Sequence, residues 1–117
     1  MRPRGGLQSY GRRVWSVGSV RVWHREEGWG VIDSPDTPGG CWAHFSHLWH
    51  DDLPQAGAGE VVSVSGGYVE LFVAETVDVQ WRTSGQDGYD YYAVTVRPRG
   101  RDAPHRTVHR RQAAPRE

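Results

Sequence analysis

From residue 17 to residue 98, apolar positions come in short bursts that alternate with polar ones, the two-residue period of a half-buried strand. Five stretches carry it. In "VGSVRVWH" (17–24), Val20 and Val22 fall on one face and Arg21 and Trp23 on the other if the strand runs straight. "WGVIDS" (29–34) follows a turn marked by Gly28, so the two predict a hairpin. In "CWAHFS" (41–46), Cys41 and Ala43 share one face and Trp42 and His44 the other. "FVAETVDVQWR" (72–82) alternates Val77, Val79 and Trp81 against Asp78 and Gln80, which directs Trp81 inward. "YDYYAVTVRP" (89–98) stops at Pro98, and "SGQDG" (84–88) turns between these last two. Residues 48–70 are expected as a long loop that could hide one short strand, "EVVSVS".

Five short strands in about 80 residues suit a small Greek-key barrel, closed or partly closed, better than a two-sheet sandwich. The expected class is therefore all-β and antiparallel. If Ile32, Cys41 and Ala43 fill the interior, alternation puts Trp29, Trp42 and His44 on the outer surface. Large flat rings facing solvent beside Gly28 and Gly30 suit unstacked nucleobases, because every base has a π-face.

Composition sharpens the picture. A chain of 117 residues holds one small domain, and its 15 glycines and 6 tryptophans, with few leucines, agree with β structure. No apolar run approaches the roughly 20 residues of a membrane span, so a soluble, cytoplasmic protein without membrane contact is expected. Cys41 is the one cysteine, which leaves no internal disulfide. All 14 basic residues are arginine, and they are unevenly placed. Residues 18–98 hold four arginines against twelve acids, residues 1–17 four arginines and no acid, and residues 99–117 six arginines and two acids. The ends, 1–16 and 99–117, carry almost no large apolar residues and are expected to be flexible, Arg-rich tails around a domain spanning 17–98. Such tails attract phosphate without sequence preference.

The residues "GSVRVWHREEGWGVID" (18–33) and "CWAHFS" (41–46) resemble the cold-shock domain family and its two RNP-type motifs, K-G-[FY]-G-[FY]-I and V-[FV]-V-H-[FY]-[ST]. The resemblance covers about residues 18–49 and 67–98. It implies a five-stranded OB-fold that binds single-stranded RNA or DNA, in the manner of an RNA chaperone or transcription regulator acting in stress responses. By that resemblance Trp29, Trp42, His44 and Phe45 occupy stacking positions, with Trp23, Tyr68, Arg21 and Gly30 completing the nucleic-acid-binding set. The chain departs from the pattern at Val22 and Val31, where the family usually has aromatics, and at Glu27, where it usually has lysine.

Other chemistries find less support. Cys41, His44, His47 and His50 recur every three residues and are zinc-ligand types, yet a strand sends Cys41 and His44 to opposite faces. No nucleophile, base and orienting acid fall into a catalytic pattern, and "GWG" lacks the rest of a phosphate-binding glycine motif. No enzyme activity, metal or cofactor is therefore expected. The alternative from another class is a protein-interaction module that uses the same exposed rings against a protein partner. A monomer is the expected state.

Overall fold

The computed structural model describes residues 15–83 and 88–113. Among the described residues seven strands occupy Ser16–His24 (β1), Trp29–Asp33 (β2), Cys41–His44 (β3), Glu60–Gly66 (β4), Thr76–Thr83 (β5), Tyr91–Pro98 (β6) and Arg106–Gln112 (β7). Five of them close a barrel in the order β1-β2-β3-β6-β5, with β5 returning to β1. Every pairing in it is antiparallel except β3 with β6. The expected all-β, OB-fold-like barrel is what the chain forms. Among the described residues no helix is long and apolar enough to cross a membrane.

The interior is built by alternation. Ile32 of β2, Cys41 and Ala43 of β3, Val77 and Val79 of β5, and Ala93 and Val96 of β6 are fully buried, and Val20, Leu48 and Leu71 complete the cluster. Each buried Val, Leu or Ile stabilises by roughly 1.5–3 kcal/mol. Trp81 packs against this core as alternation predicts, and its Nε1 donates to Ser16 Oγ at 2.9 Å.

Two irregularities matter. Between Val20 and Val22 the β1–β2 register slips, so that Arg21 is an extra residue on β1. A bulge reverses the faces beyond it. Val22 is thereby paired with Val31 on the outer side, while Trp23, opposite Gly30, turns inward and packs on the core. The straight-strand expectation for Val22 and Trp23 is reversed by that one residue. A second slip, between Gln80 and Trp81, makes Val94 the extra residue on β6.

After β3 the chain takes the short strand that residues 48–70 could hide, with an unexpected partner. "EVVSVS" forms β4, which lies outside the barrel and pairs along its whole length with β7. Residues 106–112 belong to the stretch expected as a flexible tail, and they are a strand instead. Composition misses this because the ordering comes from pairing and charge rather than apolar burial. Arg99 reaches Asp78, Arg101 reaches Glu75 and Arg110 reaches Glu60, so arginines of the basic C-terminal stretch neutralise acids of the domain. The described part of residues 99–117 is thus integral to the fold. Residues 1–14, 84–87 and 114–117 lie outside the described residues, and with them most of the N-terminal tail, most of the "SGQDG" turn and the last residues of the C-terminal one.

Candidate nucleic-acid interface

The outer face of the barrel is organised by register. On one row His24 of β1 stands opposite Trp29 of β2, which stands opposite His44 of β3. The next row crosses all five strands: Val22, Val31, Trp42, Tyr92 and Arg82. Trp29 and Trp42 are diagonal neighbours on adjacent strands, with ring centroids 6.3 Å apart and planes 26° from parallel. The ring of His44 lies 6.0 Å from Trp42 at 21°. His24 packs on the far side of Trp29 at 4.3 Å.

The network continues past the end of β3. The chain turns through one 3₁₀ turn, Phe45–His47, whose start is capped reciprocally by His44 and His47. His44 Nδ1 accepts from the Ser46 backbone N–H, and the His44 backbone N–H donates to His47 Nδ1 at 3.0 Å. This reciprocal cap fixes Phe45 beside His44, with centroids 4.5 Å apart, and leaves its ring 40% exposed. Gly28 makes room for it. A Cβ at Gly28 would sit 2.7 Å from Phe45 Cδ1, and its φ of +78° is one that side-chain-bearing residues resist. The Phe45 N–H donates back to the Gly28 carbonyl at 2.8 Å, which ties the hairpin turn to the 3₁₀ turn.

His47 supports the platform from its edge, 6.0 Å from Trp42 and 6.1 Å from His44, edge-on to both rings. Burial lowers its pKa to about 4, and the neighbouring His44 and His50 push the same way. It is therefore neutral at physiological pH, as its role as acceptor from the His44 N–H requires.

The expected residues divide into two groups. Trp29, Trp42, His44 and Phe45 form one contiguous set of rings. The others lie elsewhere or are occupied. Trp23 packs against the core. Tyr68 also packs against it, lies under the Arg101 guanidinium at 4.6 Å and donates its hydroxyl to the Asp102 carbonyl. Arg21 is tied to Asp33 and to the Gly39 carbonyl. Gly30 serves packing rather than ligand approach, since a Cβ there would be 2.2 Å from the Val22 carbonyl oxygen.

Sequence reasoning passed over His24, Tyr92 and Arg82, and weighed His47 only as a zinc-ligand type. Counting back across the Gly28 turn would have placed His24 opposite Trp29. Tyr92 and Arg82 depend on the parallel β3–β6 pairing and on the second bulge, which no local signal discloses. Arg82 is exposed and makes no ion pair with a described residue. Glu27, on the other hand, brings a carboxylate to the platform's edge and accepts from Trp29 Nε1 at 2.9 Å.

Metal is not favoured by this geometry. Cys41 is fully buried on the inner face, its thiol pushed up to about 12 by burial, whereas His44 faces out. Among the described residues no group of three or more His, Cys, Asp or Glu is placed to hold a metal ion. Trp15 and Trp49 have a structural part: both rings face the Arg97 guanidinium, at 5.2 and 4.6 Å, and Arg97 in turn pairs with Asp51. That cluster fastens the segment after the 3₁₀ turn to β6.

Compared with known protein families and with curated proteins, the chain matches none.

Proposed function

We propose that this protein binds single-stranded nucleic acid on the face formed by Trp29, Trp42, His44 and Phe45, as a divergent relative of the cold-shock domain. The observation that carries this reading is the near-parallel, partly exposed set of rings on adjacent strands of an OB-like barrel. Rings held side by side by backbone register lose little entropy when a base stacks on them, and each stacked base stabilises by about 1–3 kcal/mol whatever its identity. The reading assigns the protein a cytoplasmic role of the RNA-chaperone or transcription-regulator type, with no chemistry performed on the strand.

Val22 and Val31, at the β1 end of the outer row, leave that end without a ring. Affinity should accordingly be moderate rather than high.

The test is a tryptophan-fluorescence titration of the full chain with oligo(U) and oligo(dT), alongside Trp29→Ala and Trp42→Ala. Saturable quenching that weakens by about 5- to 150-fold in each variant, with an unchanged circular dichroism spectrum, supports the stacking face. Equal affinity in parent and variants overturns it.

A protein partner is the second reading, and one observation favours it. Val69, Phe72 and Val73, between β4 and β5, are 61%, 56% and 63% exposed within five residues. Binding through that segment would be nearly indifferent to salt, unlike binding to a phosphate chain.

A further inference from the structure

The β4–β7 ribbon has two unlike faces. Register puts Glu60, Val62, Val64 and Gly66 on one side with Gln112, Arg110, Val108 and Arg106. This side is fastened to the body. Arg106 donates to the carbonyls of Leu48 and Trp49 at 2.8 and 3.2 Å, and Arg110 donates to the Gln55 carbonyl and pairs with Glu60.

The opposite side carries Val61, Ser63 and Ser65 of β4 with Arg111, His109 and Thr107 of β7, all exposed. It holds one guanidinium, one imidazole and three hydroxyls, and no carboxylate. Beyond the backbone ladder, neither the Arg111 nor the His109 side chain makes a hydrogen bond or ion pair with a described residue. Among the other described arginines, Arg21, Arg25, Arg97, Arg99, Arg101 and Arg110 are each engaged by an acid and Arg106 by two carbonyls, and Arg82 alone shares the open state of Arg111. With a single apolar residue, Val61, the face has little to offer a partner that binds by apolar burial, whereas every other side chain on it can donate a hydrogen bond to an anionic oxygen.

Its place in the chain links it to the rings. The carbonyls that Arg106 grips belong to the two residues directly after the Phe45–His47 turn, where the ring network ends. We infer that the open ribbon face takes phosphates of the same strand whose bases stack on Trp29 and Trp42, so that strands longer than the ring face are held at a second, sequence-independent point. The inference rests on the proposed function, and the two are tested separately by different signals.

The probes are oligo(dT) of 5 and 15 nucleotides and an uncharged peptide nucleic acid 15-mer, with the full chain and an Arg111→Gln/His109→Gln double variant. Both side chains are exposed, so the variant should melt as the parent does. On the 15-mer, the slope of log affinity against log salt should shrink in the variant by about 0.7 for each phosphate that the ribbon no longer neutralises. Between 50 and 200 mM salt the variant's affinity then falls roughly 2- to 3-fold less, for each such phosphate, than the parent's. The 5-mer and the phosphate-free strand should bind parent and variant alike, with the same tryptophan quenching at saturation. An unchanged salt slope on the 15-mer overturns the role of the ribbon while leaving the stacking face intact if quenching persists. Binding of the 15-mer without quenching, abolished in the double variant, keeps the ribbon's role and overturns the stacking face instead. A parent that binds no strand at low salt overturns both.

Discussion

Trp23 stands directly opposite Gly30 across the β1–β2 ladder, with its Cε3 atom only 2.5 Å from where a Cβ on Gly30 would lie. The missing side chain is what lets the indole turn inward after the Arg21 bulge. Gly30→Ala would also press on the Val22 carbonyl oxygen and the Trp23 Cα, at 2.2 and 3.0 Å, and backbone cannot swing aside as a flexible side chain can. The expected outcome is a loss of about 2–3 kcal/mol in urea unfolding, at the upper end of overpacking effects. A loss under about 0.5 kcal/mol would mean that Trp23 is not held there.

The two valines of the outer row should respond in opposite ways to aromatic replacement. Val22 is half-buried and diagonal to Trp29, so Val22→Trp adds a platform beside that ring and should strengthen binding of oligo(dT) by about fivefold or more. Val31 is on the same row but only 1% exposed, with its Cγ1 so close to Gly40 that a Cβ there would lie 2.6 Å from it. Val31→Phe should therefore cost stability, about 1–3 kcal/mol, and gain no affinity. Titrations and melts of the two variants check both halves.

Arg101 should matter more than a surface arginine. Its side chain is 19% exposed and that of Glu75 is 14%, and it also donates to the Glu70 carbonyl and covers the rings of Tyr68 and Phe72. Arg101→Ala strands a partly buried carboxylate. The expected loss is about 2–3 kcal/mol, below the roughly 3–5 kcal/mol of a fully buried pair. A chain ended after Pro98 loses Arg99, Arg106 and Arg110 as well and should unfold at lower urea still. Equal stability of the shortened and full chains would return residues 99–113 to the status of a tail.

His47 predicts an acid-sensitive fold. Its folded pKa is about 4 against an ordinary value of 6.5, so between those values the unfolded chain binds more protons than the folded one. Stability is then highest above about pH 6.5 and falls as the pH drops toward 4, where the loss levels off. His47→Gln can still accept from the His44 N–H but does not titrate. It should flatten this part of the stability profile, measured by urea unfolding from pH 7.5 to 4, and an unaltered slope would assign the acid sensitivity to other groups.

By itself the sequence determined the barrel and the heart of the candidate site. Alternation in residues 29–33 and 41–44 is enough to send Ile32, Cys41 and Ala43 inward and Trp29, Trp42 and His44 outward, because the side-chain period of a strand is two and both strands run without a bulge. Tertiary structure decided the rest. Trp23 changed sides through one extra residue in β1, an event that leaves no mark on composition and needs the partner strand to define it. Tyr92 and Arg82 joined the outer row only when β6 paired parallel to β3 across nearly fifty residues of chain. The basic C-terminal stretch became a strand because β4 offered a ladder and the acids of the domain offered partners, and neither is local to it. Periodicity reports which way a side chain points on its own strand. Which strands meet, and where charge is neutralised, are set by interactions between residues far apart in sequence.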